Sequence, residues 1–411
     1  MSHSAEKKIS TYKWQLMLLF VTAFQVISSA QLIFAAEKVD LTLLFVFAGF
    51  IALEWLYFIF ARIITKQSSF ELEMIAFLLS GISIVIAGSI NDNFAVKQLI
   101  AVALGLAAFL GLLLVLRDVE KAMFLRVPLA FAAIGLLALN LGLAKVINGA
   151  LNWIDVGGFS IQPSELVKVA FIFVGAVTLD RLQSTKSLTK YVVFAIVCVG
   201  ALFFMRDFGT ALIFFFTFII IAFMRSGDIR TIILICTGAL LGAMLVIYFK
   251  PYVAARFETY RHIWQFADAQ GFQQTRTLIY SASGGLLGLG IGQGNLRGIY
   301  ASSTDLVFGI ICEEWGMLLA FFILIAFALL AVYAIHASRR ASSTFYSIAA
   351  VAAAGMLLFQ VALNVFGVTD LLPLTGVTLP FISRGGTSMI CSWALLAFIR
   401  STGFKQNVND T

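Results

Sequence analysis

Apolar segments about as long as a membrane-spanning helix follow one another along almost the whole chain, with short polar links between them. A helix needs roughly 20 apolar residues to cross a bilayer. The pattern therefore predicts an all-α, polytopic membrane protein with about twelve transmembrane helices, folded as a single integral membrane domain over residues 1–411. The predicted spans are residues 14–36, 41–63, 70–90, 96–116, 123–145, 164–180, 190–205, 208–224, 231–249, 304–335, 344–367 and 385–400.

The basic residues support one orientation for these spans. Short cytoplasmic loops of membrane proteins carry an excess of Lys and Arg, and with the N-terminus inside, most of the 28 Lys and Arg residues fall in the predicted inner segments. Both termini are then expected on the cytoplasmic side. The net charge of +7 follows from this sorting, so it gives no reason to expect a nucleic-acid partner. A content of 61% hydrophobic and 12% charged residues excludes an ordinary soluble domain.

Neither the N-terminal segment nor the cysteines suggest additional processing. Residues 1–14 lack the short apolar core and small-residue cleavage site of a signal peptide, so the first span is expected to remain uncleaved. The four cysteines lie in apolar spans without paired spacing, which predicts free, buried thiols with no metal or disulfide role. They are Cys198, Cys236, Cys312 and Cys391.

Residues 250–303 form the one long interval that is not hydrophobic. The positive-inside rule places this large loop outside. It carries several arginines, His262 and the carboxylates Glu258 and Asp268, followed by a run rich in glycine. A membrane protein that keeps so long a segment out of the lipid is expected to use it.

A second outer segment covers residues 148–168. Pro163 is a plausible helix start, and Glu165 and Lys168 lie one helical turn apart at the entry to an apolar helix, where they can pair. An intramembrane lysine costs roughly 2.5 to 3.5 kcal/mol on insertion scales, so something must offset that cost. Two interpretations stay open: a structural ion pair, or a cation that receives an anionic group of a substrate.

Other polar residues lie near the remaining outer ends of the predicted spans. Asp207 and Asp305 are candidate caps of the helices that follow them. The neighbouring acids Glu313 and Glu314 lie in an apolar setting and should not both stay charged without partners. Gln360 and Asn364, an i,i+4 pair, are expected to tie helices together.

Six blocks along the second half of the chain, in this order, resemble the SEDS family (shape, elongation, division and sporulation), the membrane glycosyltransferases related to FtsW, RodA and SpoVE. No single block is specific, but the ordered set is. The blocks are Trp153 with GGFSIQPSELVK, DFGTAL at 207–212, Arg261 and Asp268 with GFQ at 271–273, SGGLLGLGIGQGNL, TDLVFGIICEE at 304–314, and PLTGVTLPFISRGG at 373–386.

The resemblance implies the usual ten-helix core of that family, with its motifs at 148–400 and a catalytic outer loop at 250–303, preceded by N-terminal helices over about 14–145 that include an extra pair. It implies an inverting glycosyltransferase of the bacterial cytoplasmic membrane. Such an enzyme polymerises lipid II, the undecaprenyl-diphosphate-linked precursor of peptidoglycan, on the outer face of that membrane during division, elongation or sporulation.

The family's essential loop aspartate corresponds to Asp268. It would act as the base that activates the 4-hydroxyl of an acceptor GlcNAc for attack on the anomeric carbon of a donor MurNAc. Cations would stabilise the departing diphosphate. The residues expected to bind substrate are Lys168, Glu165, Arg256, Arg261, Arg276 and Asp305.

The chain also departs from the family pattern. Asn152 stands where a basic residue usually precedes the tryptophan, Arg206 replaces a proline, and Arg384 replaces a tyrosine. Tyr300 and Ser303 stand where a proline and a histidine commonly precede the Thr-Asp pair. The chain is therefore expected to be a divergent member of the family.

Two alternative functions remain open. A lipid II flippase would use buried Lys168, Glu165, Glu313 and Glu314 as a path, since intramembrane charges often mark one. A noncatalytic scaffold would recruit a class B penicillin-binding protein, which the resemblance implies as a partner in either case, alongside membrane lipids. A divalent cation such as Mg²⁺ bridging the diphosphate is chemically reasonable, although no dedicated ligand cluster is visible in the sequence.

Overall fold

The computed structural model describes most of the chain. The described residues are 2–35, 40–65, 69–147, 150–156, 159–180, 185–230, 233, 235–238, 240, 244 and 259–404. Predicted site residue Arg256 and most of the predicted span 231–249 lie outside them.

The described part of the chain is predominantly helical, as the apolar pattern predicts. Its helices are α1 Ser2–Ala35, α2 Leu41–Thr65, α3 Glu71–Ile90, α4 Asp92–Leu116, α5 Val119–Phe124, α6 Arg126–Leu143, α7 Pro163–Asp180, α8 Thr185–Phe204, α9 Phe208–Ser226, α10 Phe272–Ser283, α11 Val307–Glu314, α12 Gly316–Ser338, α13 Thr344–Val368 and α14 Gly386–Arg400. Eight of these are long and apolar enough to cross a membrane: α1, α2, α3, α4, α6, α9, α12 and α13.

A small antiparallel sheet lies between α6 and α7. Its strands are β1 Lys145–Ile147, β2 Ala150–Val156 and β3 Phe159–Ile161, in the order β1-β2-β3. Ile154 pairs with Ile161. The sheet delivers the chain directly to Pro163, which begins α7 as predicted, because proline tolerates the first helical position.

The predicted span 304–335 is wrong as one continuous helix. It is two helices, α11 and α12, broken at Gly316, whose φ of +84° favours glycine. The glycine-rich segment, residues 284–298, packs into the break. The Met317 N–H donates to the Gly285 carbonyl (3.0 Å), and the Leu289 N–H donates to the Glu313 carbonyl (2.9 Å). The break is stable because these bonds satisfy backbone groups at both helix ends.

The densest helix packing joins the two halves of the chain. α4 packs along α14, and α13 packs along α9, α12 and α7. Gly105 of α4 permits one close approach, since a Cβ there would lie 2.9 Å from the Trp393 ring. The indole of Trp393 donates to the Ser80 hydroxyl (3.2 Å) and packs against Phe77. This core fixes how the helix ends are arranged around the cavity described next.

Candidate functional site

Segments far apart in sequence meet around one cavity of about 830 Å³. We call the end of the bundle where it lies the cavity end. Four of the six sequence blocks contribute residues to its lining, together with α4. The lining comes from residues 94–104 of α4, 152–153, 160–166, 206–210, 300–305, 375–378 and 384–390.

Glu165 and Lys168 form the ion pair that their spacing predicts. The Lys168 ammonium donates to a Glu165 carboxylate oxygen at 2.7 Å and to the Gln360 side-chain oxygen at 3.0 Å. Gln360 in turn donates to the Thr378 carbonyl (2.9 Å). Lys168 is completely buried and does not line the cavity, whereas Glu165 does. The pair therefore ties α7 to α13 and to the wall segment 375–378.

Asp207 caps α9, as predicted. Its Oδ1 accepts the Thr210 N–H at 3.1 Å, and its Oδ2 accepts the Gln162 side-chain amide at 3.5 Å. Asp207, Gln162 and Thr210 all line the cavity. These two hydrogen bonds therefore fix the Asp207 carboxylate in the cavity wall.

Asp305 lines the cavity but does not cap α11. Leu306 stands at that cap and no side chain bonds there, so the capping prediction is wrong. Asp305 instead lies in the segment that precedes the helix, where its carbonyl accepts the Asn364 amide (2.8 Å). Asn364 also donates to the Val377 carbonyl (2.7 Å). Burial raises the pKa of the Asp305 carboxyl to about 7, which suits proton exchange near neutral pH.

Three basic side chains line the cavity that were not predicted to bind substrate: Lys97, Arg206 and Arg384. The Arg384 guanidinium lies over the Phe94 ring, 3.8 Å from its centre. The unusual arginines at 206 and 384 were a usable sequence signal. Lys97 gave no such signal, because nothing in the local sequence of α4 shows that the N-terminal end of this helix faces the motif blocks.

Asp268 lies in a run of turns before α10, with an exposed side chain, and does not line the cavity. The segment is held by its neighbours. The Tyr260 hydroxyl donates to the Leu371 carbonyl (2.8 Å), and the Gln273 amide donates to the carbonyl of Tyr300, a cavity-lining residue (3.1 Å). Asp268 is thus carried on a segment attached beside the cavity.

The predicted substrate-binding arginines also lie away from the wall. Arg261 is exposed and packs over the Tyr260 ring, and Arg276 packs over the Phe272 ring of its own helix α10. Neither lines the cavity. Of the predicted site residues in the described part of the chain, the structure brings Glu165 and Asp305 to one cavity and Lys168 behind it. Asp268 and Arg261 lie in the adjoining run of turns, and Arg276 lies on α10.

Glu313 and Glu314 clamp the glycine-rich segment. Glu313 accepts the N–H groups of Asn295 (2.7 Å) and Leu296 (2.9 Å), and Glu314 accepts that of Gly292 (2.9 Å). These backbone donors are the partners that two neighbouring buried acids require. Neither acid lines the cavity.

The described residues contain no group of three or more His, Cys, Asp or Glu side chains arranged to hold a metal ion. Cys198, Cys312 and Cys391 are buried free thiols, as expected. Cys236 is exposed, so that part of the prediction is wrong: an apolar position in a span can face outward as well as toward the core.

An all-α core with a polar cavity at one end and a polar loop beside it defines a class of polytopic membrane protein. The chain belongs to the FtsW/RodA/SpoVE family, described as cell cycle proteins, which it matches over residues 70–406. Helices α1 and α2 precede the matched region.

Relatives and solved structures agree with this assignment. The chain is 33% identical over 255 residues to stage V sporulation protein E of Bacillus subtilis, covering 60% of this chain and 70% of that protein. It is 28% identical to the probable peptidoglycan glycosyltransferase FtsW of the same species, covering 74% and 79%. A solved peptidoglycan synthase complex matches with a TM-score of 0.67 at 25% identity, covering 80% of this chain and 95% of that one. RodA of Thermus thermophilus matches with 0.60 at 26%, covering 80% and 94%.

Proposed function

We propose that this protein is a peptidoglycan glycosyltransferase that polymerises lipid II into glycan strands on the outer face of the bacterial cytoplasmic membrane. The observation that carries the proposal is the convergence of four of the six sequence blocks on one cavity of about 830 Å³. That volume lies in the range of pockets that enclose small organic ligands. Relatives that match most of the chain are named peptidoglycan glycosyltransferases.

The proposed reaction joins two lipid-linked chains. The 4-hydroxyl oxygen of an acceptor GlcNAc attacks the anomeric carbon of a donor MurNAc, the bond from that carbon to the diphosphate oxygen breaks, and undecaprenyl diphosphate leaves. The attacking hydroxyl loses its proton to a base. Attack on the face opposite the leaving group inverts the anomeric carbon.

Asp268 is the proposed base. A carboxylate is suited to the task if it comes within hydrogen-bond reach of the hydroxyl. Its exposed position on a segment bonded to Tyr300, at the cavity wall, supports a role at the acceptor side of the cavity, with the donor held inside. Closure of this segment over bound substrate would bring the base to the sugar and exclude water.

The buried charges that the flippase alternative would use as a transport path are bonded to other groups of the protein. Lys168 is bonded to Glu165 and Gln360, and both Glu313 and Glu314 accept backbone N–H groups of the glycine-rich segment. These charges are committed to contacts within the protein and do not form a polar path. The scaffold alternative is compatible with the same fold and is separated from catalysis by the assay below.

A class B penicillin-binding protein is the proposed partner, since one matching structure is a peptidoglycan synthase complex. The positive-inside sorting of Lys and Arg supports cytoplasmic termini and an outer position for the cavity end. A divalent cation that bridges the diphosphate stays part of the proposal, with chelation in the same assay as its test.

The decisive experiment measures polymerisation of labelled lipid II by the purified protein, with and without a partner lacking transpeptidase activity. We expect Asp268→Ala to lower the rate by about 10²- to 10⁴-fold, the usual contribution of a general base. Its thermal unfolding should not change, because the side chain is exposed. Asp228→Asn, an exposed aspartate after α9, is the matched control. A wild-type protein that is folded and makes no strands in either condition contradicts the proposal.

A further inference from the structure

Three leucines of the glycine-rich segment have side chains that the rest of the protein leaves exposed. The exposed fraction is 69% for Leu286, 84% for Leu287 and 45% for Leu289. The sequence contains no charged residue between Arg276 and Arg297, so the leucines lie in a long uncharged stretch. A cluster of exposed apolar side chains marks a surface that contacts something other than water.

The glycines of the same segment explain why the leucines extend outward. A Cβ at Gly284 would lie 2.2 Å from the Cys312 carbonyl oxygen, and one at Gly316 would lie 2.3 Å from the Leu286 carbonyl oxygen. The backbone of the segment therefore packs directly on the break between α11 and α12. Because its glycines occupy the side that faces the protein, the leucine side chains extend away from the break.

Two hydrogen bonds fix the leucines beside the first turn of α12. The Met317 N–H donates to the Gly285 carbonyl at 3.0 Å, and the Leu318 N–H donates to the Leu286 carbonyl at 3.2 Å. These bonds use N–H groups that the first turn of a helix cannot satisfy internally. The leucines are thus attached to the end of the helix by its own backbone.

The exposed leucines continue an apolar stripe on α12. This helix is long and apolar enough to cross a membrane. Exposed apolar side chains recur along it at helical spacing, and they are Leu318, Phe321, Ile325, Leu329 and Val332. On a membrane-spanning helix, such a stripe contacts the acyl chains of lipids. The glycine-rich segment extends the stripe past the N-terminus of the helix.

This extension lies at the cavity end of the bundle. Only residues 339–343 join α12 to α13, and helices with so short a link run antiparallel. The N-terminus of α12 therefore lies at the same end as the C-terminus of α13, which leads to the cavity-lining residues 375–378. The leucines are accordingly placed where the leaflet at the cavity end meets water.

We propose that Leu286, Leu287 and Leu289 insert into the lipid leaflet at the cavity end and anchor the glycine-rich segment there. Insertion removes apolar area from water, which is favourable in proportion to that area, and the uncharged stretch brings no charged group into the lipid. Glu313 and Glu314 accept backbone N–H groups of the same segment, so the anchor also sets the depth of α11. The inference concerns contact with lipid and is independent of the proposed function.

The test measures the surroundings of a spin label at Leu287→Cys in the full chain, reconstituted into vesicles of phosphatidylcholine and phosphatidylglycerol. The label is attached in a Cys236→Ser background, because Cys236 is exposed and the other three thiols are buried. Power saturation in electron paramagnetic resonance gives the collision rates with oxygen, which concentrates in lipid, and with a nickel chelate, which stays in water. Phe321→Cys on the α12 stripe is the lipid reference, and Gln265→Cys, at an exposed position in the run of turns, is the water reference.

We expect the ratio of oxygen to nickel collisions at Leu287 to lie several-fold above that at Gln265 and to approach that at Phe321. A ratio equal to that at Gln265 overturns the insertion. Low collision rates with both reagents would show that protein, such as a second copy of the chain, covers the leucines, and this result overturns the insertion as well. If the labelled Leu287→Cys variant does not fold, Leu289→Cys takes its place in the same measurement.

Discussion

The cavity wall and the segment that carries Asp268 differ in how their polar side chains are held. Directly behind the wall, buried Lys168, Gln360 and Asn364 each bond to more than one partner and hold the wall segments in place. In the Asp268 segment, the connections to the rest of the protein run through single bonds such as that from Tyr260 to Leu371, and Asp268 itself is exposed.

Under the proposed function, this difference assigns substrate binding to the cavity wall and the proton-transfer step to the Asp268 segment. A wall built from multiply bonded buried groups is preorganised, so it can hold a donor without rearrangement. Under the proposed function, Asp268 would reach the acceptor when its more lightly attached segment closes, and closing segments are drawn from the less stable parts of proteins. We therefore expect changes in the wall to act on stability and changes in the segment to act on rate.

The largest expected effect comes from Lys168→Met, which acts on the buried contacts behind the wall. This change leaves Glu165 buried without its cation, and breaking a buried pair on one side typically costs about 3 to 5 kcal/mol. The midpoint of thermal unfolding in detergent should fall strongly, and activity should fall with it. Lys190→Met, which removes an exposed lysine from α8, should leave the midpoint unchanged.

A double variant sharpens this result. Lys168→Met combined with Glu165→Gln removes both charges, so most of the lost stability should return. Recovery would establish the structural role of the pair. A single Lys168→Met variant that unfolds like wild type but binds substrate poorly would instead support the substrate-binding interpretation of Lys168.

A smaller loss is expected from Glu313→Gln, which acts on the clamp between α11 and the glycine-rich segment. Glu313 accepts two N–H groups, and an amide can accept only one of them well, so one buried donor is left unsatisfied at about 1 to 3 kcal/mol. Glu314→Gln is the matched comparison: one of its oxygens has no partner, so its amide can keep the single bond to Gly292. Equal losses in the two variants would contradict the clamp as described.

Local features of the wall were predictable from the sequence. Pro163 begins α7, Asp207 caps α9, and Glu165 pairs with Lys168 because each of these interactions spans at most four residues and depends on helix geometry alone. The apolar spans were predictable for a related reason: the thickness of the bilayer sets their length.

Long-range features were not predictable. The run 304–335 is apolar throughout its centre, and its break at Gly316 depends on carbonyls supplied by the glycine-rich segment. The partner of Lys168, Gln360, and the ring beneath Arg384, Phe94, are likewise contributed by distant helices. Hydrophobic periodicity shows which residues lie in helices, but it does not show which ends of those helices share a cavity.

The smallest stability effect and the sharpest test of the Asp268 segment come from Tyr260→Phe. The change removes one hydrogen bond at the surface, from the hydroxyl to the Leu371 carbonyl, which contributes about 1 kcal/mol or less. The unfolding midpoint should therefore barely move. The polymerisation rate should nevertheless fall several-fold through kcat, because the segment that positions Asp268 is less well held, while binding of undecaprenyl diphosphate stays at the wild-type level. Tyr280→Phe, on α10, serves as the control. A Tyr260→Phe enzyme with unchanged kcat would show that this anchor does not position the base, and one that loses diphosphate affinity would show that wall and segment form a single unit.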